Sequence, residues 1–205
     1  MSNLKKKTQA QQLQPTSKKA SISESILIVI TIPLSFYRER PSDVLVDTIV
    51  IHSMYHPEFT CVKRYSIFEC AKLLEQQEVS AHYLIGSQGE TALCVDEKFR
   101  ARHAGESMLP FPGDRRVGVN DFSIGIELCG DSSDATYEYP AVQYRALSRL
   151  IVNITARHKI KYIVGHNEIA PERKLDPGVN FDWRLLEQII DGYLWPPRYA
   201  TESCE

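Results

Sequence analysis

The chain has no CxxC pair, no internal repeat and no surplus of positive charge, and no apolar stretch approaches the roughly 20 residues needed to cross a bilayer. Each absence excludes a class. Five cysteines, Cys61, Cys70, Cys94, Cys129 and Cys204, are odd in number and far apart, which argues against both a disulfide framework and a cysteine-held zinc knuckle and points to a reducing compartment. They read as small apolar filler. A thiol enzyme built on Cys129 would need a histidine in recognisable relation to it, and none is apparent. With 24 Lys and Arg against 26 Asp and Glu, a net charge of -2, there is no basic field to drive phosphate contacts, so nucleic acid is not an expected partner. Without a spanning segment, the protein is expected to be soluble.

What is present fits one globular unit: 205 residues, 43% of them hydrophobic, are enough for a single substantial core. Residues 1–25 are polar and lysine-rich and are expected to form a disordered tail. The run "ILIVITIPL" reads as a buried strand. An export signal is the alternative, but Glu24 precedes the run, the stretch before it is long, and no small-residue cleavage site follows. Residues 26–195 are assigned to the domain and 196–205 to a C-terminal tail. "VDTIVIH", "SAHYLIG", "TALCV", "FSIGIELCG" and "KYIVGH" read as further strands. "IGSQGET" reads as a hairpin turn, which makes part of the sheet antiparallel.

Helical spacing places Tyr65, Phe68, Ala71 and Leu74 on one apolar face and Leu147, Leu150, Ile151 and Ile154 on another. A third helix starts near Asp182, a capping residue, with Trp183, Leu186 and Ile190 as its stripe. The expected fold is therefore α/β: a single domain with a central mixed β-sheet flanked by helices. Residues 103–121, rich in Gly and Pro and without periodicity, read as a surface loop that carries function.

Two histidines stand at strand ends, His52 after "DTIVI" and His166 after "KYIVG", and Asp176 follows ten residues later in a loop able to fold back. Two imidazoles and a carboxylate, with a fourth position left for water, form a catalytic zinc set. Spacing alone would also admit His82 or His103 as ligands. In "FSIGIEL", Ile124, Ile126 and Leu128 share one face while Ser123, Gly125 and Glu127 share the other, so Glu127 projects beside small neighbours that leave room for substrate. His56 and His158 carry no such signal.

The ordered motifs "TIVIHS", "VSAHYLI", "RHAG", "NDFSIGIEL" and "GHNEIAPERKLDPG" resemble those of the type-2 N-acetylmuramoyl-L-alanine amidases. The likeness runs from about residue 45 to 190 and is nearest to the cytoplasmic recycling amidases that act on anhydromuramoyl peptides; peptidoglycan-recognition proteins are more distant. It implies a bacterial zinc hydrolase that cuts the amide between N-acetylmuramic acid, possibly its 1,6-anhydro form, and the L-alanine of a peptidoglycan stem peptide. Its one Zn2+ ion would be held by His52, His166 and Asp176, with Glu127 and Lys174 as the catalytic pair. His82, His103, Asn120 and Arg115 are the expected substrate or supporting contacts. The implied partners are peptidoglycan fragments and the implied compartment is the cytoplasm, or the periplasm if the N-terminal run exports the chain. A binding module that does not cleave, and a zinc peptidase acting on another stem-peptide bond, are the competing readings. Arg102 stands where relatives often carry an aromatic residue before "HAG".

Overall fold

The computed structural model describes residues 28–190. The expected tails, 1–25 and 196–205, lie outside the described residues. A six-stranded sheet in the order β1-β5-β4-β7-β3-β8 forms the centre. Its strands are β1 (Val29–Thr31), β3 (Thr48–Met54), β4 (Tyr83–Ile85), β5 (Thr91–Leu93), β7 (Ser123–Cys129) and β8 (Tyr162–Gly165). Two more, β2 (Tyr37–Glu39) and β6 (Phe99–Ala101), form a separate antiparallel pair. The expected mixed sheet is present: β3 runs parallel to both β7 and β8, whereas β4 and β5 are antiparallel. The β4–β5 turn is the hairpin expected from "IGSQGET", closed by the Gly86 N–H on the Glu90 carbonyl at 2.9 Å, with Gly89 at φ 84° supplying the left-handed step.

The two faces of this sheet are covered differently. Ile49 and Ile51 of β3, Ile124, Ile126 and Leu128 of β7 and Ile163 of β8 pack against helix α2 (Ala141–Thr155) through Leu147, Leu150, Ile151 and Ile154. Helix α4 (Trp183–Ile189) joins this layer through Trp183 and Leu186. Its start is capped as expected: Asp182 Oδ1 accepts the Leu185 N–H at 2.9 Å. On the opposite face, helix α1 (Ile67–Gln76) packs over the β4–β5 side. Loop 103–121 covers the β3–β8 side with Ala104, Leu109 and Val119 against Val50 and Val164. Between these two covers, at the C-terminal ends of β3, β7 and β8, the sheet opens into a cleft.

Four expectations need correction. Among the described residues, "ILIVITIPL" contributes a three-residue strand, exposed along its length, because it is the outermost strand there and pairs with β5 alone. In α1 the buried stripe is Ile67, Cys70, Ala71 and Leu74; Phe68 is exposed and Tyr65 lies in the preceding 3-10 turn, because the helix begins only after Ser66. His52 lies inside β3, two residues before its end, and His166 opens a one-turn helix, α3 (His166–Ile169), instead of closing a strand.

Candidate metal centre

The strand register assembles the site. His52 is paired directly with Glu127 across β3 and β7, and the β3–β8 pairing ends at Ile51 opposite Gly165, so the next residues along, His52 and His166, are neighbours. Side chains alternate along a strand, so His52 shares its face with Val50, and Glu127 shares its face with Gly125 and Ser123. Asp176 reaches the same point from the loop after α3. That loop is pinned by the Asn167 N–H on the Asp176 carbonyl at 2.8 Å and by the Tyr139 hydroxyl on the Pro177 carbonyl at 2.7 Å.

His52 Nδ1, His166 Nδ1 and Asp176 Oδ2 form a triangle with sides of 2.9, 3.0 and 3.2 Å. His166 Nε2 lies 3.2 Å from the Ala104 carbonyl, which can only accept, so the ring proton is on Nε2 and the Nδ1 lone pair points into the triangle. Asp176 adds a second acceptor. Burial first, and the neighbouring His166 second, lower His52 to about 4, which keeps the ring neutral at physiological pH. Acceptors crowded this closely favour a shared cation. Donors around one zinc stand roughly 3.3 Å apart when each bond is about 2.0–2.1 Å, so the three residues fit the group.

Glu127 stands beside this triangle, with Oε1 4.0 Å from His52 Nδ1 and Oε2 buried without a hydrogen-bond partner among the described residues. Burial, then the charge of Asp176, pushes its carboxyl well above the usual value. A buried carboxyl with a free oxygen and a raised proton affinity is suited to taking and returning protons. Lys174, half-buried, lines the same cleft of about 200 Å³ together with Glu127, His103, His166 and Asp176, and Arg102 borders it. Sequence reasoning named Arg102 only as a departure. The structure brings it to the rim of the cleft.

The remaining expected residues divide. The His103 ring is buried against His52, 5.0 Å between centroids. Asn120 is buried beneath it, its Oδ1 accepting the N–H groups of His103 at 3.1 Å and Ala104 at 2.8 Å, so it shapes the "HAG" turn. His82 has no exposed surface. Its Nδ1 accepts the Gly125 N–H at 3.0 Å, and its Nε2 is 3.1 Å from the Phe99 carbonyl and 3.0 Å from Arg40 Nη2, so neither ring nitrogen faces the cleft. Arg115 is exposed on loop 103–121.

Arg40, which sequence reasoning missed, ties the segment after β2 to the entrance of β7. It donates to the carbonyls of Asn120 at 3.2 Å, Asp121 at 2.7 Å and Ser123 at 2.9 Å. Nothing local marks it, since these three partners lie eighty or more residues away.

An α/β sheet that gathers two imidazoles, a carboxylate and a free buried glutamate on one edge has the donor chemistry of a mononuclear metallohydrolase. The chain belongs to the N-acetylmuramoyl-L-alanine amidase family, whose model matches residues 41–179. It is 35% identical over 174 residues to the 1,6-anhydro-N-acetylmuramyl-L-alanine amidase AmpD of Escherichia coli (strain K12), covering 78% of this chain and 90% of that one. The corresponding AmpD of Citrobacter freundii is 41% identical over 114 residues, 55% of this chain and 57% of the relative. A crystal structure of a selenomethionine AmpD derivative superposes with a TM-score of 0.64 at 32% identity, covering 80% of this chain and 94% of that one.

Proposed function

We propose that this protein hydrolyses the amide between N-acetylmuramic acid, in its 1,6-anhydro form, and the L-alanine of a stem peptide, with free muropeptides as substrates and one zinc ion held by His52, His166 and Asp176. The observation that carries the reading is Glu127, a buried carboxylate with an unpartnered oxygen, set beside three converging donors in an open cleft. The names of the relatives, amidases of 1,6-anhydro-N-acetylmuramyl-L-alanine, supply the bond and the sugar.

A zinc ion bound there would supply Lewis acidity and make water acidic enough to attack at neutral pH. The chain's own residues supply the rest. Glu127 takes a proton from the attacking water as the carbon–oxygen bond forms, and returns it to the alanine nitrogen as the carbon–nitrogen bond breaks. Its raised proton affinity suits both halves of that exchange. Lys174 donates to the carbonyl oxygen as negative charge develops there. Asn120 keeps the backbone of residues 103 and 104 in place, and so fixes the carbonyl that orients His166. A cytoplasmic setting is part of the proposal, and the free thiols of Cys61, Cys70, Cys94 and Cys129 suit it.

The test is incubation with a defined 1,6-anhydro-N-acetylmuramoyl tetrapeptide, with and without a chelator, and identification of the products by mass spectrometry. Free anhydro sugar and intact tetrapeptide, lost on chelation and restored by zinc, are expected. A shortened peptide still joined to the sugar would move the assignment to a peptidase, and unchanged substrate with zinc bound would move it to a recognition module.

A further inference from the structure

His103 makes a chain of contacts that cleavage as described above does not require. His52 Nε2 lies 2.9 Å from His103 Nδ1, His103 Nε2 lies 3.1 Å from Ser123 Oγ, and Ser123 Oγ lies 2.6 Å from the Val119 carbonyl. The carbonyl has no proton to give, so the single Ser123 hydroxyl proton is committed to it, and Ser123 Oγ can only accept from His103. His103 therefore carries its proton on Nε2 and offers the lone pair of Nδ1. His52 must then donate through Nε2, which leaves the lone pair of His52 Nδ1 pointing at His166 and Asp176.

A second, independent observation concerns the seat of the ring. Gly125 lies between Ser123 and Glu127 on the same face of β7, and a Cβ added there would stand 2.4 Å from His103 Cγ and 2.6 Å from its Nδ1. No side chain fits without displacing the imidazole. All four groups are buried, and each ring nitrogen in the chain is within hydrogen-bond distance of a protein partner. The chain ends on a main-chain carbonyl and so passes no proton onward; it can only hold an orientation.

We infer that Ser123, Gly125 and His103 form a positioning relay, anchored on the Val119 carbonyl, that fixes the tautomer and ring angle of His52 so that Nδ1 is presented to the metal. The inference rests on the metal-centre reading given above, and its readouts do not depend on amide cleavage. Partners of this kind behind a metal-ligating histidine typically contribute 10–100-fold in metal affinity. His103 acts through His52, not on substrate.

The test uses the full-length protein, metal-free, with nitrogen-15 label in its histidines. Long-range proton–nitrogen correlation spectra report which ring nitrogen carries the proton, and competition with a chromophoric chelator gives the zinc dissociation constant. In the wild type His52 and His103 are both expected protonated on Nε2. Ser123→Ala is expected to mix the His103 tautomers and weaken zinc binding about 10–100-fold, while Ser123→Thr, which keeps the hydroxyl, restores both. Gly125→Ala is expected to weaken zinc to a similar degree.

His103→Asn places an amide oxygen near the position of Nδ1 and is expected to hold zinc better than His103→Ala, although both lose the link to Ser123. A purely steric role for the ring would make those two variants equal and would overturn the inference. So would a wild-type His52 protonated on Nδ1, or wild-type zinc affinity in Ser123→Ala with an unchanged thermal transition. If the wild type binds no zinc, the metal-centre reading fails, and the tautomer spectra still decide the relay.

Discussion

The two faces of β7 are equally buried and are buried for opposite reasons. Ile124, Ile126 and Leu128 lose water to aliphatic neighbours on α2, whereas Ser123 and Glu127, one residue out of step, lose it to hydrogen-bonding groups and to the cleft. On the first face the gain is spread over many weak contacts and grows with area. On the second it is concentrated in a few directed bonds, and Glu127 Oε2 is left unsatisfied. Low exposure therefore says little about the role of a residue. What distinguishes the faces is whether burial leaves anything unmet.

Substitutions can break this contrast or sharpen it. The largest effect is expected on the polar face: Glu127→Gln should lower kcat about a thousandfold or more while leaving the zinc dissociation constant and thermal midpoint near those of the wild type, read by steady-state kinetics beside chelator competition. A loss of folding in that variant would make the glutamate a structural group. Ile126→Ala on the apolar face should do the reverse, costing about 2–5 kcal/mol of stability in urea unfolding, with kcat per folded molecule preserved. Lys174→Ala should reduce kcat about a hundredfold or more and leave zinc binding in place; equal losses in both would move Lys174 from the reaction to the metal.

A smaller effect follows from the histidines. Burial, with the Arg40 charge next for His82 and the His166 ring next for His52, lowers these groups to about 3 and about 4 from 6.5. Between those values and 6.5 the unfolded chain binds protons that the folded chain refuses, so metal-free stability should fall as pH drops through that window. Glu97 adds a separate step. Burial would raise it, but hydrogen bonds from Arg157, Tyr83 and His158 bring it down to about 2, so its contribution is present above 4.5 and is lost as pH falls toward 2. Urea midpoints across pH 7 to 3 would show both; a flat profile would mean that the buried rings take up protons as readily as free ones. The smallest change is expected for Arg115→Gln, a rise in KM of about fivefold or less on acidic stem peptides, measured against an amidated substrate.

The readable parts of this molecule were those whose cause is local. The alternation in "FSIGIEL" separates the faces, Asp182 caps the helix that follows it, and two apolar runs around "GSQG" make a hairpin; each signal lies within a few residues of its effect. The grouping of His52, His166 and Asp176 was suggested by strand-end position and selected by family resemblance, since spacing alone left His82 and His103 open. The β2–β6 pair was not legible, because Tyr37 meets Ala101 across sixty-four positions and both strands are three residues long. Phe68 falls outside the buried stripe because three-residue steps from Tyr65 begin before the helix does. Ser123 looked like a small neighbour of Glu127; its hydroxyl gains meaning only once the loop folds His103 over Gly125.

His52 and Asp176 are separated by 124 positions. The donors can meet only after β3 lies beside β8 and the loop beyond α3 has returned to the sheet, so an ion that encounters the chain earlier finds at most one fixed histidine. On the metal-centre reading proposed above, metal capture would come at the end of assembly, unlike the small modules in which an ion and closely spaced ligands start it. The rate of zinc uptake by refolding chains would then act as a clock for the last step of topology, and a cell lacking zinc would accumulate a folded, silent protein instead of an unfolded one.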